Sequence, residues 1–257
     1  MTETYKNIRF NRSDNIAEIV LDNPPLNIMT QAMMAEINAV LEGLIADEQL
    51  HLLIFKAEGK HFSAGADVAE HTKEKCSEMI PEFMRLFYHL GQIACPTIAV
   101  VQGSSLGGGC ELATYCDMVI ASEKAKFGQP EIAVGVFPPV AVAIFPHLVG
   151  RNKALELLLS GNVIHATEAE RIGLINKVFP EDRFQEKADE FISTLTSKSS
   201  IVLKITKKVI DWGLYKPVHQ ALENAEQTYL QQLMETEDAN EGLQAFLEKR
   251  PAMWKGK

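Results

Sequence analysis

The chain has few cysteines, and they show no metal or dithiol pattern. Cys76, Cys95, Cys110 and Cys116 carry no C-x-x-C spacing, so zinc or dithiol chemistry has no support and reduced thiols are expected. The histidines are equally scattered, with no pair at metal-ligand spacing, and no metal is expected. Positive charge is short: 25 Lys and Arg stand against 34 Asp and Glu, a formal charge of −9, which argues against a general nucleic-acid or anionic-membrane surface. No apolar run is long enough to cross a bilayer, and Met1–Phe10 has neither a signal-peptide core nor an arginine-rich amphipathic pattern. A cytoplasmic location with no membrane partner is therefore expected. Two nucleotide signatures are also missing. No Gly-Lys-Ser/Thr follows the glycines, and no G-x-G-x-x-G is followed by an acid after the next strand.

What is present is 46% hydrophobic content over 257 residues, enough for a sizeable core. Ile8–Phe10 and Ala17–Leu21 read as short strands around a polar turn, Asn11–Asn15. Thr30 is placed to cap a helix whose apolar positions Met33, Met34, Ile37, Val40, Leu41 and Leu44 recur at three and four. Leu52–Ala57 reads as a buried strand, Ile80–Ile93 as a helix, and Thr97–Val101 and Met118–Ala121 as strands. Glu70–Lys75 is polar, and Glu70–Ser77 would suit a lid. From Arg151 onward the texture turns to helices: Lys153–Leu159, Thr167–Ile172, Arg183–Leu195, Ile201–Trp212, Val218–Met234 and Asn240–Lys249. The expectation is an α/β core over 1–195 followed by a helical region over 196–257.

The centre of this pattern is Ile98–Glu111, I-A-V-V-Q-G-S-S-L-G-G-G-C-E. An apolar run ends in a turn, three glycines follow, and a helix starts near Gly108. Glycine lets backbone N–H groups approach a ligand, and the first N–H groups of a helix lack intrahelical acceptors. Such a helix end suits a phosphate or a developing oxyanion. Glu111, in the first turn, would repel a phosphate, which favours the oxyanion. A second small-residue loop, His61–Val68, follows the Leu52–Ala57 strand, and a second acid, Glu131, follows Pro130 at a strand end. Each acid alone has an ordinary structural role open to it: Glu111 can complement the helix dipole and Glu131 can serve as a turn acceptor. Together with two donor loops they suit polarisation of a thioester carbonyl and acid–base handling of a water.

His61–Val68, Gln102–Asp117 and Phe127–Gly135 resemble the corresponding segments of the crotonase superfamily, the enoyl-CoA hydratases and isomerases, and the likeness extends to the terminal Phe246–Trp254. The resemblance implies a spiral of ββα units with C-terminal helices for trimerisation, assembled as a homotrimer or a dimer of trimers. It implies an acyl-CoA thioester substrate, with CoA as part of that substrate and no separate cofactor. The oxyanion donors would be the N–H groups of Ala66 and Gly108, and the catalytic acids Glu111 and Glu131. Ala64, Ala66, Asp67 and Val68 would line the CoA path, with Phe246 and Lys249 reaching CoA from the last helix of the same or a neighbouring subunit. Glu131 is taken as the proton source and Glu111 as the residue orienting the water, a division that can reverse because nearby carboxylates titrate as a pair.

Retention of both acids favours a hydratase over an isomerase. Gly135–Ala143, G-V-F-P-P-V-A-V-A, replaces a glycine-rich stretch of straight-chain hydratases with a stiffer apolar wall. With Asn27-Ile-Met, His61-Phe-Ser, Gln129-Pro-Glu and Tyr229–Met234, it resembles the cyclohexa-1,5-diene-1-carbonyl-CoA hydratases of anaerobic benzoyl-CoA degradation. The product would be 6-hydroxycyclohex-1-ene-1-carbonyl-CoA. The alternatives are a short-chain 2-enoyl-CoA hydratase, an isomerase, or a non-catalytic RNA-binding relative, which the acidic charge and the two acids disfavour.

Overall fold

The structure, a computed structural model, describes residues 5–257. Residues 1–4, part of the segment searched for a leader, lie outside the described residues. The chain opens with a hairpin of β1 (Ile8–Ser13) and β2 (Ile16–Leu21), closed by Asp14 and Asn15, with Asp14 at φ 51°. The turn is thus shorter than the Asn11–Asn15 expected. Asn11, Arg12 and Ser13 are polar because that end of β1 is an exposed sheet edge, and left-handed Asp at a two-residue loop matches strand twist.

Next comes α1 (Gln31–Ile45), capped where expected: Thr30 Oγ1 accepts from Met33 N at 3.2 Å, and the predicted apolar stripe is buried. β3 (Leu52–Ala57) follows, then α2 (Cys76–Leu90). α2 starts four residues before the predicted Ile80, because its first turn carries no apolar spacing to announce it. β4 (Thr97–Val101) and β5 (Ser104–Leu106) lead into α3 (Gly108–Tyr115), β6 (Met118–Ser122) and β7 (Lys126–Gly128). After α4 (Ala141–Val149) and α5 (Arg151–Ser160), two short strands break the predicted all-helical texture: β8 (Ile164–His165), followed by α6 (Ala166–Arg171), and β9 (Lys177–Phe179). At two and three residues they are too short for alternation to register.

The main sheet has the order β1-β2-β3-β4-β6-β9, parallel from β2 onward, and a smaller sheet runs β5-β7-β8. Parallel strands need crossovers and cover on both faces. Leu53, Phe55, Ala99 and Val101 face the large core with α1 and α2, whereas Leu52, Ile54, Ile98, Val100 and Ile120 face Ala188 and Ile192 of α7 (Phe184–Thr196). Every residue of β4 is buried in consequence.

Beyond α7 lie α8 (Ser200–Gly213), α9 (Val218–Thr228), a π turn over Tyr229–Leu233, and α10 (Glu237–Glu248). One tie to the core is Lys207, whose Nζ donates to Ile93 O and Cys95 O at 3.1 Å and pairs with Asp117 at 2.7 Å. α8 buries no residue fully, and Trp212, Val218, Leu222, Phe246 and Leu247 stand exposed. Among the described residues, no helix is long and apolar enough to cross a membrane.

Candidate active site

β3 delivers the chain into the first small-residue loop, which lies extended along β5. Ser63 N donates to Ser104 O at 3.1 Å and Leu106 N to Ser63 O at 2.9 Å. Ser63 Oγ donates to Asn27 O at 2.7 Å and accepts from Gly65 N at 3.1 Å. Buried Asn27 in turn donates to Glu58 O and His61 O, so the loop is fixed from outside as well as along its length.

The second loop crosses the first at a separation only glycine permits. A Cβ on Gly109 would lie 2.5 Å from Ser63 Cβ, and one on Gly65 would lie 3.0 Å from Leu106 O, with Gly65 and Gly107 also at φ 103° and 52°. The Cβ position of Gly108 is 3.4 Å from Ala66 N, which brings the two expected donor loops together. Gly108 opens α3 and has no intrahelical acceptor. Among the described residues neither the Ala66 N–H nor the Gly108 N–H has a side-chain or loop acceptor.

Glu111 projects from the first turn of α3 and is 1% exposed. Its Oε1 accepts from Val140 N at 2.7 Å and Ala141 N at 2.8 Å, at the start of α4, leaving Oε2 for other chemistry. Burial pushes this carboxyl up to about 8, the facing charge of Glu131 adds to the rise, and the two N–H donors oppose it. Burial thus favours the protonated form of Glu111, and with Oε1 occupied by two donors Oε2 is the oxygen left open to the site.

Glu131 does not end a strand, as expected, but sits in a 3-10 turn, Pro130–Val134, just after β7. Proline at the first position presets that turn. Its Oε1 lies over Gly107, 2.6 Å from where a Cβ would be. Burial pushes it up too, against a backbone hydrogen bond. Buried Gln129, with its amide oriented to donate, reaches Glu131 Oε2 and Gly107 O at 3.3 Å.

The remaining sequence-predicted residues divide in two. Ala64, Ala66, Asp67 and Val68 are contiguous with the donor loop; Asp67 caps a short 3-10 turn by accepting from Ala69 N, and Val68 is 66% exposed. Phe246 and Lys249 belong to the far end of α10, Phe246 82% exposed and Lys249 in the left-handed conformation that ends the helix. No hydrogen bond or ion pair joins them to residues 64–68 among the described residues. The predicted lid is anchored at both ends: Glu70 Oε2 accepts from Gln31 N at 2.9 Å, and Cys76 and Ser77 belong to α2. Sequence reading missed the Val140 and Ala141 N–H donors and gave Gln129 no role. These groups meet the acids only through folding and left no spacing to find.

The comparisons agree with this architecture. A family model described as Enoyl-CoA hydratase/isomerase matches residues 11–257. A cyclohexa-1,5-dienecarbonyl-CoA hydratase of Thauera aromatica is 36% identical over 248 residues, covering 96% of this chain and 95% of that protein. A probable enoyl-CoA hydratase of Rhizobium meliloti is 35% identical over 255 residues, 98% of this chain and 99% of that protein. The crystal structure of an enoyl-CoA hydratase from Bacillus anthracis superposes with a TM-score of 0.92 at 31% identity, covering 98% of this chain and 100% of that one.

Proposed function

This chain belongs to the enoyl-CoA hydratase/isomerase family, and from that membership we propose that it is a hydro-lyase adding water to a conjugated CoA thioester. The observation that carries the reading is the meeting of two N–H donors, at Ala66 and Gly108, with the buried Glu111 and the half-buried Glu131. The thioester oxygen accepts from both N–H groups, which stabilise the enolate as charge develops. Glu131, the less enclosed of the two carboxyls, takes a proton from water as the hydroxide adds at the carbon β to the thioester. Glu111 delivers the proton on Oε2 to carbon. This reverses the division expected from sequence, and the reason is burial: the more enclosed carboxyl holds the proton.

The preferred substrate is cyclohexa-1,5-diene-1-carbonyl-CoA, giving 6-hydroxycyclohex-1-ene-1-carbonyl-CoA. The likeness to the Thauera aromatica hydratase supports it, as does the apolar segment Gly135–Ala143. That segment does two things: the Val140 and Ala141 backbone grips Glu111, while Val136, Phe137 and Val142 keep exposed apolar side chains for a ring. In the cyclic diene the charge of the dienolate reaches the far carbon of the second double bond, and protonation there completes a 1,4-addition.

Ala64, Ala66, Asp67 and Val68 line the CoA path in this reading. Phe246 and Lys249 reach CoA across a subunit boundary, in a homotrimer or dimer of trimers joined by helices of 196–257, whose apolar faces are uncovered in the single chain. Four free thiols suit a reducing, cytoplasmic setting. The test is steady-state turnover of crotonyl-CoA and the cyclic dienoyl-CoA, with products identified by mass. Preference for the diene is expected. Preference for crotonyl-CoA would keep the hydratase and remove the cyclic substrate, and no turnover of either would remove both.

A further inference from the structure

Glycine at position 108 has no conformational reason of its own. It opens α3 without a positive φ, at a place where alanine would form the better helix. The space around it supplies the reason. A Cβ on Gly108 would lie 3.0 Å from Phe83 Cε2, 3.3 Å from Phe83 Cζ and 3.4 Å from Ala66 N. The edge of the Phe83 ring therefore stands where a side chain at 108 would go. The ring and the Ala66 amide nitrogen converge on the same side of Gly108, so one aromatic side chain is packed where the two donor loops meet.

That ring is held by the core. Phe83 is 3% exposed and lies in α2, on a buried face shared with Met79, Leu86 and Phe87. Phe87, one turn on, meets it edge-to-face, with ring centroids 4.9 Å apart and planes at 69°. The same turn is pinned to α1: buried Asn38 donates from Nδ2 to Glu82 O at 3.0 Å and to Glu82 Oε1 at 2.7 Å. Gly109 is packed against Ser63 and Gly108 against Phe83, so the start of α3 is gripped at two consecutive residues.

We infer that Phe83 sets the position of the Gly108 donor relative to the Ala66 donor, and is thus a positioning residue for the oxyanion site that acts through Gly108. Two N–H groups share a developing enolate oxygen only when both reach it at hydrogen-bond distance, so the spacing between them decides how much charge they can hold. The apolar ring also keeps water from the back of the donors, and a low local dielectric strengthens their pull on the oxygen. This role rests on the hydratase reading, with Ala66 and Gly108 as the thioester donors. It gives a side chain a part in a feature otherwise made of main-chain atoms.

The test compares the full chain with Phe83→Leu, Gly108→Ala, the two combined, and Leu41→Ala, a truncation in the buried stripe of α1 that reports loss of stability alone. Turnover is followed on whichever enoyl-CoA the unmodified protein hydrates, at a temperature where every variant is folded. The C=O stretch of bound benzoyl-CoA, a conjugated thioester, reads polarisation by the donors in infrared difference spectra. Phe83→Leu is expected to lower kcat about 10–100-fold, short of the ~10²–10³-fold of losing a donor outright, with KM within about threefold and the stretch moved back toward its frequency in water. Gly108→Ala should lose at least as much. The double variant should be about 5-fold or more faster than Gly108→Ala, because the methyl enters space the ring has left. Leu41→Ala should lower Tm and leave kcat and the stretch as they were. Parental kcat and stretch in Phe83→Leu, a change in Tm alone, or no recovery in the double variant would overturn the role and leave the hydratase standing. An unmodified protein that hydrates no enoyl-CoA and leaves the benzoyl-CoA stretch unshifted would remove the donor reading beneath it.

Discussion

Residues 5–196 and residues 200–257 use the same apolar periodicity to opposite ends. In α1 the stripe from Met33 to Leu44 is fully covered by the chain's own sheet and by α2. In α8 and α9, with comparable spacing, α8 buries nothing completely, α9 buries only Thr228, and Val218 and Leu222 are 75% and 65% exposed. The first region is held by what it packs against within the chain. The second is held by its ends and a few polar ties: Ser199 and Thr236 caps, Lys207 on the core, and Asp238 accepting from Ser199 Oγ, Lys255 N and Gly256 N. Periodicity therefore reports a helix in both regions but reports a core in only one. Uncovered apolar faces of this extent call for cover by another surface.

Substitutions can sharpen that contrast, and the largest effect belongs to the site. Glu111→Gln is expected to lower turnover by about 10²–10⁴-fold while CoA-ester binding, measured by calorimetry, stays within a few-fold. Full activity in that variant would end the two-acid mechanism. The same variant reads the first region by pH. A carboxyl raised from 4.5 to about 8 binds more protons folded than unfolded between those values, so its contribution to stability is complete below 4.5 and is lost as pH climbs through 8. The Tm of the parent should fall relative to Glu111→Gln as pH rises over that window, and parallel curves would show that Glu111 is not held neutral.

Next in size, Phe87→Ala removes a 2%-exposed ring packed edge-on to Phe83 and Tyr115, and should cost about 3–5 kcal/mol in denaturant unfolding. Lys207→Met cuts one of the ties between the regions and should cost about 1–3 kcal/mol, with α8 amides exchanging faster than those of β4. If both sets of amides lose protection equally, the two regions unfold as one and the contrast fails. Smallest for folding is Val218→Ser with Leu222→Ser, expected within about 0.5 kcal/mol at each site in unfolding of the dissociated chain. Its signature is instead a lower sedimentation coefficient, and an unchanged assembly would show that this face is not the one covered.

What the sequence revealed follows the range of the interaction concerned. Thr30 as a cap, the α1 stripe and the Gly107–Gly109 turn depend on neighbours within a few residues, and they were legible. The glycine loops were legible as loops that approach something, although Ser63 as the object of Gly109's approach needed three dimensions. Val140 N–H meets Glu111 across 29 residues, with no periodicity to connect them. β9 was lost for a different reason: three residues at a sheet edge leave too little alternation to distinguish from a connection.

The donors at Ala66 and Gly108 are main-chain atoms, and this gives the site an uneven tolerance to genetic change. No side-chain replacement can delete an amide hydrogen short of proline, so point substitutions act on these donors only by displacing them, as a bulky residue at Gly109 would against Ser63. A single-codon deletion between Gly103 and Gly109 is another matter. It would shift β5 against residues 62–63, move Gly108 away from Ala66 and swing Glu111 off the start of α4 in one stroke. Variation in this protein should accordingly accumulate as substitutions along Gly135–Ala143, while length polymorphism is barred from the glycine turn.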